Sequence, residues 1–214
     1  MIGLQQVTVA IKRTDILNNV SMAIGSGRMA GLIGRNGAGK TTLMRSIMGL
    51  LPLRKGSIVL NDIDLSGVPP HRRTHHGIGF MPEDRRLIPD LTVAENVLLP
   101  AWAAKLADTD AQLAWTYALM PEVQQFADRK ASLLSGGQQK LVALARSLMI
   151  GRRLLLLDEP FEGVAPALAQ RLIEVIAVLK GEGATVLISE SDYTYSRDLV
   201  DQVFVIERGV VTAR

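Results

Sequence analysis

The sequence predicts an α/β fold in a single domain, a parallel-sheet core built around a phosphate-binding loop with a helical lobe inserted into it. Three observations predict this. Gly34-Arg35-Asn36-Gly37-Ala38-Gly39-Lys40-Thr41-Thr42 fits the pattern G-x-x-x-x-G-K-[ST] and lies between a strand-like run, Arg28–Ile33, and a helical one, Thr42–Met48. Leu154–Leu157 is an all-apolar run that ends in Asp158 and Glu159, as a central strand covered on both faces does. Between them, from Leu91 to about Ala131, the apolar period becomes that of a helix. The core then takes residues 1–89 and 151–214, and the lobe about 90–150.

The elements follow in order. Val7–Ile11 and Val20–Ile24 read as edge strands with a turn at Asn18-Asn19. The helix after the phosphate loop stops at Gly49, with Pro52 beyond it. Gly56–Leu60 is a strand, and Val68-Pro69-Pro70 opens a polar connection, His71-Arg72-Arg73-Thr74-His75-His76. Its three histidines read as a solvated short helix or loop rather than a metal site, because no further ligand lies nearby. Gly77–Met81 is a buried strand ending at Pro82-Glu83-Asp84. In the lobe Thr92 is an N-cap, Trp102, Trp115 and Tyr117 read as packing residues, and Pro121 breaks the run. Ser135 caps a helix over Gln139–Ile150. Ala167–Leu179 is an amphipathic helix, Thr185–Ser189 a strand and Asp192–Leu199 a short helix. Val203–Glu207 and Val210–Val211 close the chain as strands around Arg208-Gly209.

The bulk properties exclude several classes. The chain has 214 residues, no cysteine and a net charge of +3, so neither disulfides nor thiolate metal sites enter. The arginines are scattered and aromatics make up 4%, which leaves neither a basic stripe nor a stacking platform for nucleic acid. The start, Met1-Ile2-Gly3-Leu4-Gln5-Gln6, has no signal-peptide pattern. The apolar runs fall short of the about 20 residues that span a bilayer, and the chain reads as soluble.

The chemistry lies in three stretches. In a strand–loop–helix turn, backbone N–H groups and the positive end of the helix dipole converge on the loop. Gly37 and Gly39 let the backbone close around phosphate oxygens. Lys40 reaches the β and γ phosphates of a nucleoside triphosphate, and the Thr41 hydroxyl completes a Mg²⁺ shell. Asp158 holds the same ion, and Glu159 polarises a water aimed at the γ-phosphate. Ser135-Gly136-Gly137-Gln138 leaves a second helix start bare. Two glycines weaken a helix, so their presence argues for an anion site.

Taken together, the phosphate loop, Leu134-Ser135-Gly136-Gly137-Gln138 and Leu154-Leu155-Leu156-Leu157-Asp158-Glu159-Pro160 resemble, over essentially the whole chain, the ATP-binding subunits of ABC transporters. The resemblance implies a P-loop NTPase (RecA-like) core with an antiparallel β-subdomain. It also implies ATP and Mg²⁺ as ligands and a head-to-tail dimer in which Ser135, Gly136, Gly137 and Gln138 serve the partner's ATP. Two membrane permease subunits, and indirectly a solute-binding protein, complete such an assembly at the cytoplasmic face of the membrane. The departures narrow the resemblance. Glu83 stands where most members have Gln, Ala165 where most have Asp, and Ser191 where most have the switch His. With Gly163-Val164-Ala165-Pro166, these look like the second ATPase of the importers for branched-chain amino acids, urea or similar amides. Glu83, Glu159 and Ser191 take the catalytic positions, and Thr41, Asp158 and Glu83 those around the metal. At the adenine-stacking position the spacing puts Ile11 or Ala10, so base stacking is expected to be weak. The resemblance also implies a short piece beyond Arg214.

These readings predict an ATPase whose own loop hydrolyses slowly while its signature completes a faster site on a second ATP-binding subunit. The alternatives are an ATP-dependent clamp with little hydrolysis, which Glu159 argues against, and the ATPase of another ABC transport system.

Overall fold

The computed structural model describes residues 1–214. Two sheets share the chain. The first is antiparallel, with the order β2-β1-β4-β5. Its strands are β1 (Ile2–Ile11), β2 (Thr14–Ile24), β4 (Lys55–Leu60) and β5 (Ile63–Asp64). The second has the order β10-β9-β3-β8-β7-β6. It comprises β3 (Met29–Ile33), β6 (Ile78–Met81), β7 (Leu154–Asp158), β8 (Val186–Glu190), β9 (Gln202–Glu207) and β10 (Val210–Ala213). All its neighbours pair in parallel except β9 and β10.

The central strands of the second sheet, β3, β8, β7 and β6, are buried on both faces, and the period of two along β7 shows how. Leu154 and Leu156 enter one core with α1 (Lys40–Ile47) and the antiparallel sheet. Leu155 and Leu157 enter the other, with α6 (Gly136–Leu148) and α7 (Pro166–Gly181). That alternation decides where the next residues point. Asp158 continues the face of Leu154 and Leu156, the side on which α1 carries Thr41.

The lobe is three helices, α3 (Val93–Ala104), α4 (Thr109–Leu119) and α5 (Pro121–Gln125), with α6 packed against α3. Thr92 caps α3 in a reciprocal capping box with Glu95. Tyr117 is buried and Trp115 packs at the edge of the core, as expected. Trp102 does not: it is 51% exposed on α3.

Four further expectations are corrected. The β1–β2 turn falls at Lys12-Arg13, not at Asn18-Asn19. Asn19 sits inside β2 with φ +52 at an irregular stretch of the pairing, which explains its turn-like appearance. β1 is not an edge strand, since β4 pairs on its other side. Residues 192–199 form bends and turns, not a helix. They are held by the buried Ser196 hydroxyl on the Glu190 carboxylate and by Tyr195 against Phe161.

The fourth concerns the polar connection. Pro70–Arg73 forms the short helix α2, and Thr74–His76 a 3-10 turn. Arg73 is buried. Its guanidinium donates to the carbonyls of Val68 (2.9 Å), Ser46 (3.0 Å), Ile47 (2.6 Å) and Leu65 (2.5 Å). It thereby closes the carboxyl end of α1, where a cation also suits the dipole. Burial lowers its pKa and Asp64 raises it. Replacing Arg73 with Ala strands those carbonyls, so we expect a loss of about 3 kcal/mol, read as a Tm lower by roughly 10 °C. A Tm unchanged in a thermal melt contradicts this account.

Candidate active site

Strand β3 delivers the chain into Gly34, where a Cβ would lie 2.3 Å from the Ile206 carbonyl oxygen. Only glycine fits that approach. Gly39 then sits at the N-cap of α1 with φ +116 and no side-chain cap, so the first N–H groups of the helix face the loop. Asn36, Gly37, Gly39, Lys40, Thr41 and Thr42 line one cavity of about 370 Å³ with Ile16, Glu83 and Glu159. Gly34, Arg35 and Ala38 line the adjoining cleft.

Lys40 is buried and its ammonium is fully engaged. It donates to the Gly34 carbonyl (2.5 Å), the Arg35 carbonyl (3.2 Å) and the Ser191 hydroxyl (3.2 Å), and pairs with Glu159 Oε1 at 3.0 Å. Glu159 reaches that position because its backbone is left-handed, with φ +49, which turns the side chain away from the strand's alternation. The Ser191 hydroxyl donates to Glu159 Oε1 (2.8 Å), and the Ser191 N–H to Oε2 (3.2 Å). The same hydroxyl lies 2.6 Å from Asn36 Oδ1, so Ser191 joins the phosphate loop to the carboxylate.

Asp158 is fully buried. The Ser189 hydroxyl donates to its Oδ1 at 2.6 Å, while Oδ2 has no partner in the protein. Burial raises its pKa, while the Ser189 hydrogen bond and the nearby Thr41 hydroxyl pull it back down. A buried, unpartnered carboxylate oxygen beside a threonine hydroxyl and an acidic neighbour is a donor set for a hard divalent cation. Glu83 reaches the cavity from the end of β6. Desolvation raises its pKa, and Glu162, Asp158 and Glu159 add to the rise. A carboxylate is therefore costly there, where an amide carries no charge.

Ser135–Gln138 are absent from the cavity lining. Ser135 and Gln138 cap α6 reciprocally, with the Ser135 hydroxyl accepting from the Gln138 N–H (3.3 Å) and Gln138 Oε1 from the Ser135 N–H (3.0 Å). The ends of two flexible side chains also lie close to the two glycines. A Cβ on Gly137 would meet Leu168 Cδ2 at 2.9 Å, and one on Gly136 the Arg85 guanidinium at 3.1 Å. Ile11 is exposed at the end of β1 and Ala10 lines a separate cleft. The apolar contact at the phosphate cavity comes from Ile16 instead. Ser189, Asn36 beside the Ser191 hydroxyl, and Ile16 were the roles missed. The one available signal was a hydroxyl at the end of an otherwise apolar strand.

The family described as ABC transporter matches residues 17–162. The chain belongs to that family. This ABC ATPase is 34% identical to the high-affinity branched-chain amino acid transport ATP-binding protein BraG of Pseudomonas aeruginosa, over 98% of this chain and 90% of the relative. It is 30% identical to the lipopolysaccharide export system ATP-binding protein LptB of Haemophilus influenzae, over 98% and 88%. Among solved structures it resembles a dimeric ATP-binding cassette in a post-hydrolysis state bound to ADP and Pi, with a TM-score of 0.88 and 25% identity, covering 100% of this chain and 98% of that one. As an ABC cassette it binds nucleotide and is the ATPase subunit of a transporter. No helix in it is long and apolar enough to cross a membrane.

A second cavity, of about 350 Å³, opens between the core and the helices of this ABC ATPase. Phe80, Pro82, Leu99 and Pro100 give it apolar walls, and Arg45, Arg86 and Arg146 edge it with charge. Arg146 holds the segment after β6 by donating to the carbonyls of Arg86 (2.7 Å) and Arg85. Both of those residues have left-handed backbone.

Proposed function

We propose that this ATPase powers the import of branched-chain amino acids or similar small polar or amide solutes. The observation that carries the ATPase part is the meeting of Lys40, Thr41 and Glu159 in one cavity, with the buried Asp158 carboxylate beside Thr41. The import part rests on the likeness to BraG together with Glu83, Ala165 and Ser191; the likeness to an export ATPase keeps another ABC system as the second reading.

In this reading Thr41, Asp158 and Glu83 would hold Mg²⁺. The ion, when bound, neutralises charge on the β and γ phosphates. Lys40 neutralises the remaining charge, and the bare start of α1 binds phosphate oxygens through its N–H groups. Glu159 orients the attacking water and accepts its proton. To do so it must release Lys40, which the γ-phosphate takes over as the stronger anionic partner. Ser135–Gln138 serve the ATP of a second ATP-binding subunit, consistent with their absence from this chain's own cavity. That subunit is a different chain or a second copy. In this reading the cavity between core and lobe takes segments of two membrane permease subunits, and the cassette works at the cytoplasmic membrane face. A solute-binding protein acts only through those permeases. The whole chain acts as one nucleotide-binding domain, core 1–89 and 151–214 with the lobe at about 90–150.

Ser191 sets the rate in this proposal. Its hydroxyl is spent on Glu159 and Asn36, leaving no donor long enough for the γ-phosphate. The lone chain is therefore slow, and turnover is measured alone and with a candidate partner ATPase. Equal turnover in both ends the asymmetry proposal. Ser191→His is expected to raise the lone chain's kcat on the order of 10-fold by supplying that donor. A kcat that falls instead means the serine's hold on Glu159 matters more than the missing imidazole.

A further inference from the structure

Lys140 is a buried cation for which the chemistry above has no use. It lies one turn into α6, on the face of Gly136, and its stem runs from that helix to the loop that follows β7. There its ammonium donates to the Glu159 carbonyl at 3.0 Å and to the Glu162 carbonyl at 2.5 Å. Both acceptors are main-chain oxygens, so the contact reads backbone position and not side-chain identity. The loop needs such a hold. Glu159 has φ +49, and within the loop the Glu162 N–H closes a turn on the Glu159 carbonyl at 3.2 Å. A left-handed non-glycine residue persists only where its surroundings over-determine it.

Burial lowers the Lys140 pKa. Glu162, Glu159 and Glu83 oppose that, and Arg85 adds to it. The carboxylates around the loop thus offset part of the cost of burying the ammonium, and hydrogen bonds from a charged donor are roughly twice as strong as neutral ones. The first turn of α6 is gripped from a second side as well. The Arg85 guanidinium donates to the Gly136 carbonyl at 3.2 Å, and Gly137 sits against Leu168 at the start of α7.

We propose that Lys140 is a positioning residue that locks the loop carrying Glu159 to the first turns of α6, so that the signature at Ser135–Gln138 and this chain's own water-orienting carboxylate move as one body. The coupling role rests on the signature serving a partner's nucleotide; the positioning role does not. Its consequence is that engagement of the signature by a partner is transmitted to Glu159 through one side chain, with no rearrangement of the sheet between them.

The test uses the full chain with Lys140→Met, which keeps the stem and removes the donor, and Lys140→Arg, which keeps charge and donors. Three experiments are run: binding of a fluorescent ATP analogue, steady-state kinetics giving kcat and KM for ATP, and amide hydrogen exchange over residues 159–165 and 136–148. In Lys140→Met the expected result is faster exchange confined to 159–165, unchanged ATP affinity and KM, and a kcat lower by on the order of 10-fold, because a small misplacement of a reacting group suffices for that. Lys140→Arg is expected to restore most of both. Unchanged exchange in the loop overturns the proposal. So does exchange that rises equally in α6, or ATP affinity that falls with kcat, since either marks general loosening. Should Lys140→Met not fold, Lys140→Arg decides: wild-type loop exchange supports the proposal, and loop exchange raised together with α6 overturns it. If the wild-type chain hydrolyses no ATP at all, the ATPase reading fails by itself, while the exchange comparison still decides the role of Lys140.

Discussion

Glu159→Gln is expected to lower ATP turnover by roughly 10²- to 10³-fold while leaving ATP binding intact. The substitution removes the group that accepts a proton and keeps nearly the same shape. The resting site tolerates it. Lys40 retains the carbonyls of Gly34 and Arg35 and the Ser191 hydroxyl as acceptors, so its ammonium stays satisfied. Removing a negative charge beside the γ-phosphate also favours the bound nucleotide. The measurement is turnover across protein concentration beside equilibrium binding. Wild-type activity that rises more than linearly with concentration and vanishes in the variant establishes a dimerising ATPase. Equal low activity in both, with ATP still bound, supports the clamp instead.

Lys40→Met is expected to act in the opposite way, on binding and on stability together. ATP affinity should fall on the order of 10²-fold, the worth of one buried charge-assisted contact to phosphate. The free protein should also lose about 3 kcal/mol, because Glu159 is left buried with only the Ser191 hydroxyl and N–H as donors and no cation. Combining Lys40→Met with Glu159→Gln removes the stranded charge. The double variant should therefore regain most of the stability and none of the affinity. Urea unfolding and nucleotide titration of the four proteins form the cycle. Additive stability losses would mean that the Lys40–Glu159 pair contributes nothing to the resting fold.

Much of this was legible from residue order. The glycines of the phosphate loop, the apolar run of β7 and the Ser135 cap each carry a local reason for their place, and local reasons survive in a sequence. The failures share a different cause. Asn18-Asn19 has the composition of a turn but lies within a strand, because pairing with β1 absorbs the irregularity as a local break in register. Arg72 and Arg73 look alike in a polar stretch, yet Arg73 alone is buried, against the end of a helix some 25 residues earlier in the chain. Residues 192–199 have helical composition but spend their polar groups on Glu190 and their aromatic ring on Phe161.

What the sequence determined by itself was the chemistry: a phosphate cradle, a carboxylate pair at a strand end and a second capped helix start, each encoded within a few consecutive residues. Only the tertiary structure decided how these act on one another. It set Lys40 on Glu159, left one Asp158 oxygen without a partner, turned Ser191 toward both Asn36 and Glu159, and tied Lys140 across to the loop of Glu159. Those contacts join residues that are far apart in the chain. They depend on strand order, on the alternation of faces along β7 and on one left-handed backbone angle, and none of these is carried by a local run of residues.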